Sequence, residues 1–210
     1  MTLPAPYFQD DAVTIYHADC RAIMPHLPKV DLVLTDPPYG VGYKYGDSYL
    51  DTGEGYAPFV LGVFEACRAA APLTLITPGI INLWLYPKAD WVLCWAKPGS
   101  TRRNGLGGFN EWEPVLVYGK RRIYNDFKYL PDIVNHSTES GDHPAPKPKA
   151  LYKWLLSVAS DDGATLLDPF MGSGTALRAA KDLGRKAIGI EIEERYAEIA
   201  AKRMAQGVLF

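Results

Sequence analysis

An α/β fold built on one mostly parallel sheet is what this sequence predicts, from three observations. Strand-like apolar runs alternate with segments of helical period along the whole chain. The run at residues 30–35 is nearly all apolar, the pattern of a parallel strand covered on both faces. The 210 residues are enough for one large domain, which buries roughly two-thirds to three-quarters of its unfolded surface.

In order, residues 13–16 read as a short strand and 30–35 as the next. A helix is expected over 57–71, then a strand at 73–76. Residues 91–95 and 114–118 are two further strands with a glycine-rich loop between them. Residues 122–148 are proline-rich and read as irregular. A helix over 150–159 leads to a strand at 164–167, a helix at 175–183, a strand at 186–190 and a closing helix over 193–204. No repeat or low-complexity linker breaks this order, so residues 1–210 are expected to form a single domain.

Hydrophobic residues make up 48 % and charged residues 22 %, which excludes a disordered or fibrous chain. No apolar run approaches the roughly 20 residues of a membrane span, and the first residues lack a basic segment followed by an apolar one. Cys20, Cys67 and Cys94 are scattered and odd in number, as reduced thiols in a cytoplasm are. Of the four histidines only His17 stands at a ligand spacing to a cysteine, Cys20, and no second such pair accompanies it, so no metal site is expected. A net charge of −2 hides an asymmetry. Residues 1–60 carry three cations against eight acids, whereas residues 97–128 carry seven cations against three acids. Such unevenness points to one face built for a polyanion.

The segment Leu167-Asp168-Pro169-Phe170-Met171-Gly172-Ser173-Gly174-Thr175 ends a buried strand in an acid, turns through two glycines and enters a helix. Open α/β sheets bind ligands at the carboxyl ends of strands, and glycines let a ligand approach backbone there. The next strand ends at Glu191, an acid suited to two ribose hydroxyls. The dinucleotide fingerprint G-x-G-x-x-G is not met, because position 177 is Leu. Asp168 would repel a pyrophosphate but favours a cationic ligand, so an adenosine bearing an ammonium or sulfonium fits better than a nicotinamide dinucleotide.

Thr35-Asp36-Pro37-Pro38-Tyr39-Gly40 stands at the end of another buried strand. The prolines restrict the backbone, so Asp36 and Tyr39 are held with little freedom. A carboxylate beside the Pro37 carbonyl gives two acceptors matched to the two protons of an exocyclic amine. Tyr39 can stack on the base that carries it.

In these residues the chain resembles the amino-methylating DNA methyltransferases, which modify adenine N6 or cytosine N4 with S-adenosylmethionine. Their amine-binding motif is matched by Asp36, Pro37, Pro38 and Tyr39, and their methionine-binding motif by Asp168 to Thr175. A third motif, HP-x-x-KP, is matched by His143-Pro144-Ala145-Pro146-Lys147-Pro148, and Asp19-Cys20 resembles the adenine-contacting position. The motif order is that of the beta subgroup. The resemblance implies a Rossmann-like class I methyltransferase fold: seven mostly parallel strands, one antiparallel, with helices on both faces. Residues 91–95 and 114–118, joined by a loop, suit the antiparallel part. It also implies a cofactor site of Asp19, Cys20, Asp36, His143, Lys147, Pro148, Asp168, Phe170, Gly172, Ser173, Gly174, Thr175, Glu191 and Ile192. Catalysis would rest on Asp36, Pro37, Pro38 and Tyr39, which draw the amine toward tetrahedral geometry for in-line attack on the sulfonium methyl. No cysteine nucleophile is then required.

Residues 97–142 number only 46, and after subtraction of strands they are too few for an independent recognition domain. DNA contact is therefore expected from the small inserted region 98–142, through Arg102, Arg103, Arg121, Arg122 and Tyr124, with Tyr129 as a further aromatic. Gly105, Gly107 and Gly108 are expected to make the loop 99–110 mobile. An adenine-N6 enzyme is the leading expectation, since cytosine-N4 relatives more often carry Ser in place of Asp36. A cytosine-N4 enzyme and a non-catalytic nucleic-acid-binding subunit are the alternatives. DNA is the expected partner and a prokaryotic or phage-encoded cytoplasmic protein the expected setting, with no membrane partner. A homodimer and a cognate restriction endonuclease are further expectations.

Overall fold

A computed structural model describes residues 3–42, 44–45, 49–50, 53–100, 103–120, 131–137 and 147–207, with backbone alone at 44–45 and 49–50. Its main sheet contains β1 (Phe8–Gln9), β2 (Val13–His17), β3 (Leu32–Thr35), β6 (Leu73–Ile76), β7 (Trp91–Ala96), β8 (Trp112–Gly119), β9 (Ile133–Asn135), β10 (Thr165–Asp168) and β11 (Lys186–Glu191). A separate two-stranded hairpin is formed by β4 (Lys44–Tyr45) and β5 (Tyr49–Leu50). The main order is β1-β2-β11-β10-β3-β6-β8-β7-β9. β2, β11, β10, β3 and β6 run parallel, β8 runs against both β6 and β7, and β9 runs with β7.

The expectation of seven strands with one antiparallel is therefore corrected to nine strands with two antiparallel ones. The two additions are short edge pieces. β1 pairs antiparallel with β2, and β9 lies inside the stretch read as irregular. A strand of two or three residues carries too few side chains to show a period of two.

Alternation along the strands divides the core between two helical layers. Ile15, Leu32, Leu34 and Leu166 face α3 (Lys149–Ala159), α4 (Thr175–Asp182) and α5 (Glu194–Ala205). Tyr16, Val33, Leu167 and Ile190 face α1 (Cys20–Ile23) and α2 (Tyr56–Ala70). This two-sided burial is why β3 and β6 are buried at every position. Gly189 in β11 has a packing reason: a Cβ there would stand 2.4 Å from Met171 Sδ and 2.5 Å from Leu177. The glycine lets the turn after β10 and the start of α4 lie directly on the strand. Among the described residues no helix is long and apolar enough to cross a membrane.

Candidate active site

The parallel strands end at one edge, and the acids singled out in the sequence collect there. Asp19 follows β2, Glu191 ends β11, Asp168 ends β10 and Asp36 follows β3. Two clusters with different construction result.

The first surrounds Asp168 and Glu191. Asp168 is buried, and its Oδ1 accepts from Thr35 Oγ1 at 2.7 Å and Phe170 N at 3.1 Å. Burial, reinforced by Asp36 and Glu191, pushes its carboxyl up to about 7. Glu191 is also buried and displaced upward by burial. Its Oε2 accepts from Gly172 N at 2.9 Å and its Oε1 from Glu193 N at 2.8 Å, tying the glycine turn to the strand end. Each oxygen keeps a lone pair for a ligand hydroxyl. Gly174 takes φ +77°, and a Cβ there would lie 2.9 Å from that of Ala200, so the turn needs glycine for both conformation and packing on α5. The Ser173 and Thr175 hydroxyls accept from Arg203 Nη1 at 3.4 and 3.0 Å, bracing the same turn from α5.

Asp19 caps α1 and accepts from Arg21 N at 2.9 Å. The Arg21 guanidinium also binds this carboxylate, at 2.5 Å from Nη2 to Oδ2, and holds its pKa below the usual value. Arg21 lies 5.0 Å over the Phe59 ring, which meets Phe170 edge-on at 6.1 Å. Burial pushes the Cys20 thiol up to about 12, unsuited to a nucleophile at neutral pH. The Ile192 carbonyl hydrogen-bonds His17 Nε2 at 3.0 Å.

The second cluster surrounds Asp36. Its Oδ1 accepts from Thr77 Oγ1 at 2.6 Å and the Tyr39 hydroxyl at 2.5 Å. Lys147 Nζ donates to both carboxylate oxygens at 2.9 Å and to the Tyr39 hydroxyl. The same ammonium lies 3.6 Å from Glu113 Oε2, while Glu113 Oε1 receives Lys97 Nζ. Lys97, Glu113 and Lys147 are all buried, so charges of alternating sign run from Lys97 through Glu113 and Lys147 to Asp36. Burial alone would lower the Lys147 pKa, but Asp36 and Glu113 override it and hold the ammonium charged. Burial alone would raise Glu113, and Lys147 with Lys97 reverses that. Glu113 Oε2 is buried without a hydrogen bond. Trp95 floors the row, with the Lys97 and Lys147 ammoniums 5.6 and 5.8 Å from its ring.

The backbone of the Asp36 turn is clamped as its prolines imply. Pro37 and Pro38 are buried, Tyr56 donates its hydroxyl to the Pro38 carbonyl at 2.8 Å, and Asn82 Nδ2 donates to the Tyr39 carbonyl at 2.9 Å. Tyr39 has its hydroxyl on Asp36 and its ring 5.0 Å from the Lys147 ammonium.

Lys147, expected at the cofactor, stands on the carboxylate of Asp36, which was expected at both the amine and the cofactor, with Pro148 beside it capping α3. Thr77, Lys97 and Glu113 were not anticipated. Their one sequence signal is polarity at the end of an apolar strand, where a buried ion pair and a solvated charge read alike. His143, Arg102, Arg121, Arg122, Tyr124 and Tyr129 lie outside the described residues. An apolar cavity of about 540 Å³ opens at the other end of the sheet, lined by Leu73, Trp91, Val117 and Trp154 among others. It holds none of the acids named here.

The family model for DNA methylases of the N6/N4 type matches residues 82–202. Among curated proteins, the chain is 28 % identical to Type II methyltransferase M.HpaI of Haemophilus parainfluenzae, over 83 % of this chain and 68 % of that protein. It is 25 % identical to DNA adenine methyltransferase YhdJ of Escherichia coli (strain K12), over 94 % of this chain and 84 % of that one. Among solved structures, the M1.HpyAVI–SAM complex superposes with a TM-score of 0.70 at 26 % identity, covering 92 % of this chain and all of that one. The cytosine-N4-specific PvuII DNA methyltransferase superposes with a TM-score of 0.76 over 98 % of this chain and 90 % of that one, but at 16 % identity it shares the fold alone. With its acids gathered at the carboxyl edge of this sheet, the chain belongs to the N6/N4 DNA methylase family.

Proposed function

We propose that this chain methylates the exocyclic N6 of adenine in DNA. The carrying observation is the Asp36 carboxylate, fixed by Thr77, Tyr39 and Lys147, on the same sheet edge as the Asp168–Glu191 turn. S-adenosylmethionine is the cofactor, and the residues fit it. A carboxyl pushed up to about 7 by burial gains from a neighbouring cation, and Glu191 offers paired acceptors to a ribose. When bound there, the cofactor supplies an electrophilic methyl on a sulfonium.

The protein's own part is positioning and proton acceptance. Of the Asp36 oxygens, Oδ1 receives Thr77, Tyr39 and Lys147, whereas Oδ2 receives Lys147. Oδ2 is therefore the acceptor for the target amine, and Lys147 occupies its place until the base arrives. Glu113 Oε2, 3.6 Å away and without a hydrogen bond, is ready to take the displaced ammonium. With Oδ2 and the Pro37 carbonyl accepting hydrogen bonds from its two N–H groups, the amine nitrogen concentrates its lone pair for attack, and the one proton it sheds after gaining the methyl group passes to Asp36.

Asp36 favours adenine, as does the similarity to an adenine enzyme over 94 % of the chain. Incubation with tritiated S-adenosylmethionine and duplex DNA, followed by nucleoside analysis, tests the reading. Label in N6-methyl-2′-deoxyadenosine is expected. Label in N4-methyl-2′-deoxycytidine would replace adenine by cytosine, and no label would overturn the enzyme reading.

A further inference from the structure

Resting on the reading of this chain as a DNA methylase, we propose that residues 103–109 form a braced wedge whose tip, Leu106, fills the gap left in the duplex when the target base is extruded. Within the glycine-containing loop, residues 103–109 form a hydrogen-bonded hairpin. Arg103 and Phe109 form an antiparallel bridge, and Asn104 N donates to the Gly108 carbonyl at 2.9 Å. Asn104 Oδ1 accepts from Leu106 N and Gly108 N, both at 2.9 Å. Arg103 Nη1 donates to the Gly107 carbonyl at 2.8 Å, and its guanidinium lies 4.8 Å over the Phe109 ring.

All of this bracing presents an aliphatic side chain to solvent. Leu106 is 98 % exposed at the tip, with Phe109 and Trp112 also exposed behind it. Apolar surface held rigidly in water is useful when something covers it. The location says what. Lys97 and Glu113, the two ends of the segment that carries the hairpin, are the same residues whose ion pair adjoins Lys147 and Asp36. The hairpin therefore leaves the same sheet edge as the Asp36 cluster, from the two residues that adjoin it. The Asp36 side chain is only 24 % exposed, too recessed for a stacked base to reach. The base must leave the helix, and an apolar wedge beside the reaction site compensates the lost stacking. The Arg103 cation at the hairpin base suits the flanking phosphates.

Single-turnover methylation by Leu106→Ala, on duplexes carrying the target base paired or opposite an abasic site, tests the wedge. The exposed tip makes a folding defect no concern, and thermal melting alongside checks it. We expect at least tenfold slower methylation of the paired duplex and recovery to within threefold of wild type opposite the abasic site, with Leu106→Phe close to wild type on both. An equal loss on both duplexes, or no loss on either, overturns the wedge. A wild-type protein inert on both duplexes would overturn the DNA reading itself.

Discussion

The two halves of the site are built in different ways. Around Asp168 and Glu191 the work is mostly local: residues 168–193 supply the acids, the turn and the N–H groups that tie them together, and only the Thr35 hydroxyl on Asp168 and the Arg203 brace on the turn come from elsewhere. Around Asp36 the partners come from four further places in the chain, with Thr77, Lys97, Glu113 and Lys147 converging by side-chain charge and hydroxyl contacts. A pocket held by backbone tolerates loss of one side chain as a graded change. An alternating row of buried charges does not, because each member is the solvent of the next. Under the proposed function the difference suits the tasks: a cofactor pocket has to wait for its ligand, while an acceptor site has to exchange one cation for an amine.

The largest effect should come from the acceptor itself. Asp36→Ala removes the group that takes an amine proton and is expected to cut methyl transfer by about 10³-fold or more. Affinity for S-adenosylmethionine by calorimetry should change by less than about threefold, since Asp36 faces the amine. Turnover within tenfold of wild type would break the division into a cofactor half and an acceptor half.

Next comes the ion row. Glu113→Gln leaves Lys97 beside a neutral amide and should cost about 3–5 kcal/mol in chemical denaturation. Replacing both members, Lys97→Met with Glu113→Leu, should recover most of that stability because no uncompensated charge remains. Methylation by the double variant should still be roughly tenfold or more below wild type, for Lys147 then has no second acceptor when the amine arrives. Full turnover in the stable double variant would reduce Glu113 to a structural role.

How legible each half was follows from the same contrast. The strands at 73–76 and 186–190, the helix at 175–183 and the Asp36 and Asp168 turns could be read because period, glycine and proline are local signals. The antiparallel β7–β8 pair was readable from its short connection. Glu113 was not, since nothing in Glu113-Pro114-Val115-Leu116 states that its partners lie 16 and 34 positions away. Lys147 was found through its motif, but its ion pair with Asp36 was not legible, since 111 positions separate the two. The hairpin at 103–109 was not legible because three glycines show no strand period, while its bracing comes from the Asn104 side chain through two local hydrogen bonds.

The cofactor half should respond by degrees. Glu191→Ala removes both hydrogen bonds to the turn and the paired acceptors, and should weaken S-adenosylmethionine binding by about 1–3 kcal/mol. Unchanged affinity in calorimetry would move the ribose elsewhere. Asp168 adds a pH signature. Its folded pKa, about 7, is raised from 3.8, so the unliganded fold loses stability as pH rises from near 4 through 7. A cationic ligand prefers the ionised form, so affinity should climb roughly tenfold from pH 6 to 8 and then level, with proton release on binding. Asp168→Asn should flatten that profile. A flat wild-type profile would show that the cofactor's charge is held by other groups.

The smallest effect is expected outside both halves, at Arg103. With so little chain available to read base edges, we expect a target of a few base pairs, because each bidentate contact discriminates by only about 1–3 kcal/mol and short loops place few of them. Affinity should then rest on phosphate contacts and fall steeply with salt. Arg103 donates one N–H to Gly107 inside the hairpin and has others to offer a phosphate. Arg103→Ala should therefore weaken binding severalfold across unrelated sequences and lower the slope of log affinity against log salt by about 0.9. The expected pattern is a uniform loss with unaltered sequence preference in long-read maps of methylated bases. If the slope is unchanged while methylation of paired duplex slows as it does for Leu106→Ala, Arg103 serves only to brace the hairpin. The phosphate contacts then belong to other cations of the 97–128 segment, and the acceptor half of the site extends through Arg103 to the tip.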